Sequence, residues 1–217
     1  MPTFAAVRAD RQIRLLVAGI VVLDTAYRQL FTGLPLMLTE SGAPLVAYGV
    51  LITGSCLIIV LAETPLAVYL GRFPALKVIT GGWALVGLGF AVLAVWPRLG
   101  GAVIAVVVIT AGEMLYKPTS PAFAADRAPE GMAARFQSLY AAASISGMVL
   151  SPPLGGLVYQ HRPGLLWPWC AGLALSAAAL LALASRDRPD STGPAVSGVP
   201  VMPGTAVRSR IRQGGSG

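Results

Sequence analysis

The sequence predicts an all-α membrane protein of six transmembrane helices. Three observations carry that reading. Only 12% of the 217 residues are charged while 55% are hydrophobic, against about 25% charged residues in soluble domains. Mean hydropathy is +0.72. The apolar residues also fall into six runs of helical, membrane-crossing length, parted by short breaks rich in turn residues.

The runs cover residues 15–38, 45–70, 77–96, 102–125, 133–159 and 164–184. Each has about 20 residues or more, enough to cross some 30 Å of hydrocarbon at 1.5 Å per residue. The breaks between them are "TESGAP", "GRFPALK", "WPRLGG", "DRAPEGMAAR" and "YQHRPG". Backbone polar groups in lipid must be satisfied within the segment, so helices are expected. The alternating pattern of a membrane β-barrel is missing. Span one runs past signal-peptide length, holds Asp24 and Arg28 and lacks a small-x-small cleavage site, so it is expected to remain as a span.

Residues 1–14 form an N-terminal segment, 15–185 the helix bundle, and 186–217 a tail rich in Gly, Pro and Ser. Such a tail cannot bury a core and is expected to be disordered. Its "RSRIR" stretch can touch anionic lipid or stay solvated. The net charge is +7. With the N-terminus inside, twelve Lys and Arg residues fall on the inner side and only Arg98 and Arg162 on the outer. That bias places both termini in the cytoplasm. The basic residues lie between spans and in the tail, with no aromatic-interleaved stripe, so no nucleic-acid partner is expected.

Charges inside the spans point to function. Glu113 lies near the middle of span four, with Tyr116 at i+3 and Lys117 at i+4 on one helical face. Span one carries the same order in Asp24, Tyr27 and Arg28, with Phe31 one turn on. The two spans cross in opposite directions. Spans 1–3 and 4–6 are therefore read as two inverted three-helix repeats, an arrangement of secondary transporters with the site at mid-depth between repeats. An ionised side chain at the bilayer centre costs at least about 2.5–3.5 kcal/mol. These groups either line a water-filled cavity or act as interhelical struts. As a cavity they form a pathway for substrate and protons, with Glu113 the first candidate to carry a proton.

Glu63, near the inner end of span two, either joins a cytoplasmic charge cluster with Arg72, Asp126 and Arg135 or is solvated. Gly147, Gly155 and Gly156 of span five allow close backbone approach, and Pro152 and Pro153 remove N–H groups. Pro35 and Pro118 are expected to bend spans one and four. Packing and hinge roles are compatible at these sites. Cys56 and Cys170 lie in apolar runs and are expected to form neither a disulfide nor a metal site. The single His161 sits in a loop, so no Ser–His pair, metal-ligand set or phosphate loop is seen and no enzyme activity or cofactor is expected.

"GEMLYKPTSPAFAADRAPEGMAARFQSLY" with "GMVLSPPLGG" resembles helices ten and eleven of the major facilitator superfamily, bacterial drug-efflux type. "DRQIRLL", "FTGLPLML" and "YGVLITGSCLIIVLAETPLAVYLGR" resemble its helices seven and eight. The likeness covers about residues 10–185 and the C-terminal six-helix half of a full transporter. Gly147, Pro152, Gly155 and Gly156 match the glycine–proline motif of its antiporters; Gly112, Glu113 and Pro118 match helix ten. Gly71, Arg72 and Lys77 fit its cytoplasmic loop motif loosely.

The resemblance implies half of a major facilitator fold in a bacterial cytoplasmic membrane. Spans one and four would line the cavity, and spans two and five would face a second half. That partner would be a second copy of the chain or a separate N-terminal half. The implied function is half-size, proton-coupled efflux of a small amphipathic molecule among Tyr27, Phe31, Tyr116 and the charged pairs. The alternative is a non-transporting membrane assembly protein or an inactive remnant.

Overall fold

The computed structural model describes Val7, Arg8 and residues 10–186. The expected tail and most of the N-terminal segment lie outside the described residues. Six helical stretches are long and apolar enough to cross a membrane. Span one consists of two helices, Arg11–Tyr27 and Gln29–Glu40, and the others are Leu45–Leu70, Ala75–Val95, Leu99–Asp126, Ala133–His161 and Leu166–Arg186. A short 3₁₀ turn, Pro163–Leu165, leads into the last. No strand occurs among the described residues.

Local signals account for the ends. Asp10 caps the first helix, accepting from the N–H groups of Gln12 at 2.8 Å and Ile13 at 3.4 Å. After Glu40 the chain closes a Schellman motif. Gly42 takes φ +80° and bonds Thr39 O at 3.1 Å, and Ala43 N–H reaches Leu38 O at 2.9 Å. Spans four and five run unbroken through Pro118, Pro121, Pro152 and Pro153. Pro35 likewise lies inside a helix. The interruption in span one falls instead at Arg28, where Phe31 N–H bonds Arg28 O at 3.0 Å, the tighter i→i+3 pattern.

Spans three and six pack against each other and bury large side chains. Trp83, Val86, Phe90 and Leu93 of span three are fully buried, as are Cys170, Ala174 and Leu181 of span six. Spans three and four cross closely at small residues. A Cβ on Gly82 would lie 2.7 Å from Gly112 O, and one on Gly112 would lie 2.6 Å from Gly82 O. In lipid such contacts let backbones gain van der Waals attraction that bulkier side chains would block.

The principal helix contacts map onto themselves when spans one and four, two and five, and three and six are exchanged. Three–four becomes six–one, two–four becomes five–one, one–two becomes four–five, and three–six is unchanged. Burial follows the same pairing. About half of the most apolar stretch is buried in spans one and four, and nearly as much in three and six. Span five has 22% buried and span two none. Span two is apolar on all sides, so no stripe draws it into the core.

Gly147 and Gly156 behave differently. A Cβ on Gly147 would lie 2.5 Å from Val21 O of span one, whereas Gly156 faces open space. Close packing therefore involves Gly147 and Gly155, and Gly156 does not take part. Gly147→Leu is expected to lower stability by about 2 kcal/mol through overpacking, while Gly156→Leu stays within about 0.5 kcal/mol. Thermal unfolding of the two variants in detergent checks this.

Candidate functional site

Polar side chains of spans one, four and five reach one another near mid-length and bond between the helices. Glu113 is central. Its Oε2 accepts from Tyr27 Oη of span one at 2.7 Å. Its Oε1 takes the Lys117 ammonium one turn away on the same helix. Lys117 Nζ also sits 4.7 Å from the centre of the Tyr27 ring. Span one is thus held to span four by a buried, charge-assisted hydrogen bond, a stronger type than a neutral one.

Asp24 turns the other way, toward span five, where Ser144 Oγ donates to its Oδ2. Thr25 Oγ1 donates to Gly147 O at 3.3 Å, and Gln29 Nε2 to Ser151 O at 2.6 Å and Ser151 Oγ at 2.8 Å. A Cβ on Gly155 would collide with the Gln29 amide. Ser144, Gly147, Ser151 and Gly155 recur at three- and four-residue steps, so one face of span five carries all four. That spacing is visible in the sequence, yet only the glycines were singled out from it. Thr25, Gln29, Ser144 and Ser151 are polar residues of the crossing that the sequence analysis missed.

Arg28 follows at the helix interruption. Its guanidinium lies 5.9 Å from the ring centres of both Tyr27 and Phe31. Those two rings stand edge to face at 5.9 Å. The carboxylates are withdrawn and the cations are forward: Asp24 is 3% exposed and the Glu113 side chain 12%, against 44% for the Lys117 side chain. Phe31 is 42% exposed beside them.

Tyr116 departs from the expected chamber. It is buried in the core at 1% exposure, and its Cβ and N lie against Gly82 of span three. The matching order of acid, tyrosine and cation therefore does not place the two tyrosines alike. Tyr27 bonds the other helix's acid, while Tyr116 packs inward and its hydroxyl has no partner among the described residues.

The expected cytoplasmic cluster does not assemble. No hydrogen bond or ion pair joins Glu63, Arg72, Asp126 and Arg135 among the described residues. Glu63 lies within the helix Leu45–Leu70, whereas Arg72 lies in the turn just past its end. Arg72 rests instead over the Tyr69 ring at 6.0 Å. An ion pair at this end joins Arg127 to Asp10, at 3.2 Å. It joins the end of span four to the cap of span one.

The two cysteines are free, Cys170 buried in span six and Cys56 exposed on span two. No group of three metal-ligating side chains occurs among the described residues.

The Tyr27–Glu113 bond predicts energetic coupling. Tyr27→Phe and Glu113→Gln should each destabilise, and the double variant should lose less than their sum, by about 0.5–3 kcal/mol. A double-mutant cycle of thermal unfolding measures it; zero coupling would mean that the bond contributes nothing.

A search of curated proteins gives no match. The sequence model of the Major Facilitator Superfamily matches residues 15–212. With six membrane-crossing helices matched over most of its length, the chain is an integral membrane protein that belongs to the Major Facilitator Superfamily, a superfamily of transporters.

Proposed function

We propose that the chain acts as one six-helix half of a proton-coupled secondary transporter that expels a small amphipathic molecule. The observation that carries this reading is the Tyr27–Glu113–Lys117 network at the crossing of spans one and four, with Asp24 and Arg28 beside it. Ionisable groups at this depth are costly and by default mark pathways. In an alternating-access cycle the network works as a latch. A proton on Glu113 cancels the charge that binds Lys117 and weakens the bond from Tyr27, loosening span one from span four. Asp24, held by a single serine hydroxyl, is the second proton-bearing candidate.

Spans two and five have the least buried surface, and a second six-helix unit would cover them. That unit is another copy of this chain or a distinct N-terminal half in the same bacterial cytoplasmic membrane.

A second reading also has a specific observation behind it. Both carboxylates are bonded across helix crossings, as struts would be. Transport and strut roles separate by experiment. Proteoliposomes of the chain, with any partner that co-purifies, should export a fluorescent amphiphile under an imposed proton gradient. A protonophore and Glu113→Gln should each lower the flux at least about tenfold, within the 10²–10⁴-fold range typical of a proton-transfer group. Gradient-independent flux, no flux, or full flux with lowered protein level in Glu113→Gln would favour the struts. Cys56 tests the partner: a thiol crosslinker added to native membranes should yield a dimer band that Cys56→Ser removes.

A further inference from the structure

Arg28 is a half-buried cation within a span, and no carboxylate among the described residues bonds its guanidinium. It stands at the middle of the 30-residue span one. Asp24 is one turn away, yet no ion pair joins the two. The Arg28 Nε is buried and has no acceptor among the described residues. The guanidinium is held on two aromatic rings instead. Such contacts fix its position but supply no acceptor for its five N–H groups. A guanidinium at this depth gains most from a planar anion that accepts two parallel hydrogen bonds.

The neighbours agree with an anion. Glu113 is paired with Lys117 and accepts from Tyr27, and Asp24 is turned to Ser144 behind the surface. Lys117 stands forward and exposed, and Phe31 offers an apolar wall next to Arg28. A lipophilic cation would have to displace Lys117 or Ser144 to reach a carboxylate. An amphipathic anion meets the cations first.

We propose that Arg28, flanked by Lys117 and walled by Tyr27 and Phe31, is an anion seat, and that the substrate is an amphipathic organic anion, an oxyanion carried on an apolar body. This names the substrate of the transporter proposed above and rests on that reading. A lipid phosphate has the same oxyanion chemistry, but its head group lies about 15 Å away, at the surface of a core some 30 Å thick.

The test is equilibrium binding to the full chain in nanodiscs, with three probes of one shape: 2-naphthoate, 2-naphthamide and 2-naphthylmethylammonium. Naphthoate should bind at least tenfold more tightly than the amide, and the ammonium most weakly. Arg28→Gln should erase the preference for naphthoate. Arg28→Lys should keep part of it, because the charge remains while the paired geometry is lost. Arg98→Gln, at an exposed turn, should change nothing. Equal affinities, tighter binding of the ammonium, no binding of any probe, or a preference that survives Arg28→Gln would overturn the proposal. So would naphthoate binding in zwitterionic discs that disappears in discs of anionic lipid, since a head group would then own the seat. No proton gradient is present, so binding that follows this pattern without coupled flux would sink the transport cycle and leave the anion seat standing. Coupled flux without an anion preference would do the reverse.

Discussion

Water is scarce at the middle of a bilayer, so an ionisable side chain placed there must find its partner in the protein or in an enclosed cavity. Glu113 meets that demand twice over, with Tyr27 from span one and Lys117 from its own helix. Asp24 meets it through Ser144 of span five. Because each bond except that to Lys117 crosses between helices, satisfying the charges also sets how spans one, four and five lie against one another. The relative placement of the three helices and the chemistry at their crossing are one problem with one solution.

Packing supports that solution from the other side. Spans three and four approach at Gly82 and Gly112, immediately before Glu113 in the chain. Gly147 lets span five rest on the backbone of span one beside Asp24. Small residues thus sit next to the charged ones, so that helices come close enough for short side chains such as Ser144 and Asp24 to meet. Spans one, three, four and six share the buried large apolar side chains, and spans two and five stay at the periphery.

Sequence order and spatial order agree in outline and part in detail. The two acid–tyrosine–cation runs were legible because spacing on a helix is rigid: i and i+4 share a face whatever the fold. What that spacing left open was which way each face turned. Tyr27 looks across to Glu113, while Tyr116 turns into the core against Gly82. Glu63 and Arg72 were grouped by their nearness to one membrane surface, but Arg72 lies past the end of the helix that carries Glu63 and rests over Tyr69 instead. Ser144 and Ser151 went unread because serine is common in helices, and only the neighbour across the crossing gives it a role. Gly156 matched a motif letter and has nothing above it.

The sequence by itself determined the membrane class, the six spans, their turns and the position of the ionisable groups along them. These depend on hydropathy, helix rise and turn chemistry, all local to a few dozen residues. Only the tertiary structure decided that Glu113 takes its hydroxyl partner from span one, that Asp24 bonds to span five, and that Arg28 Nε finds no acceptor among the described residues. Those outcomes depend on helix rotation and crossing position, which are set by the shapes of distant surfaces pressed together.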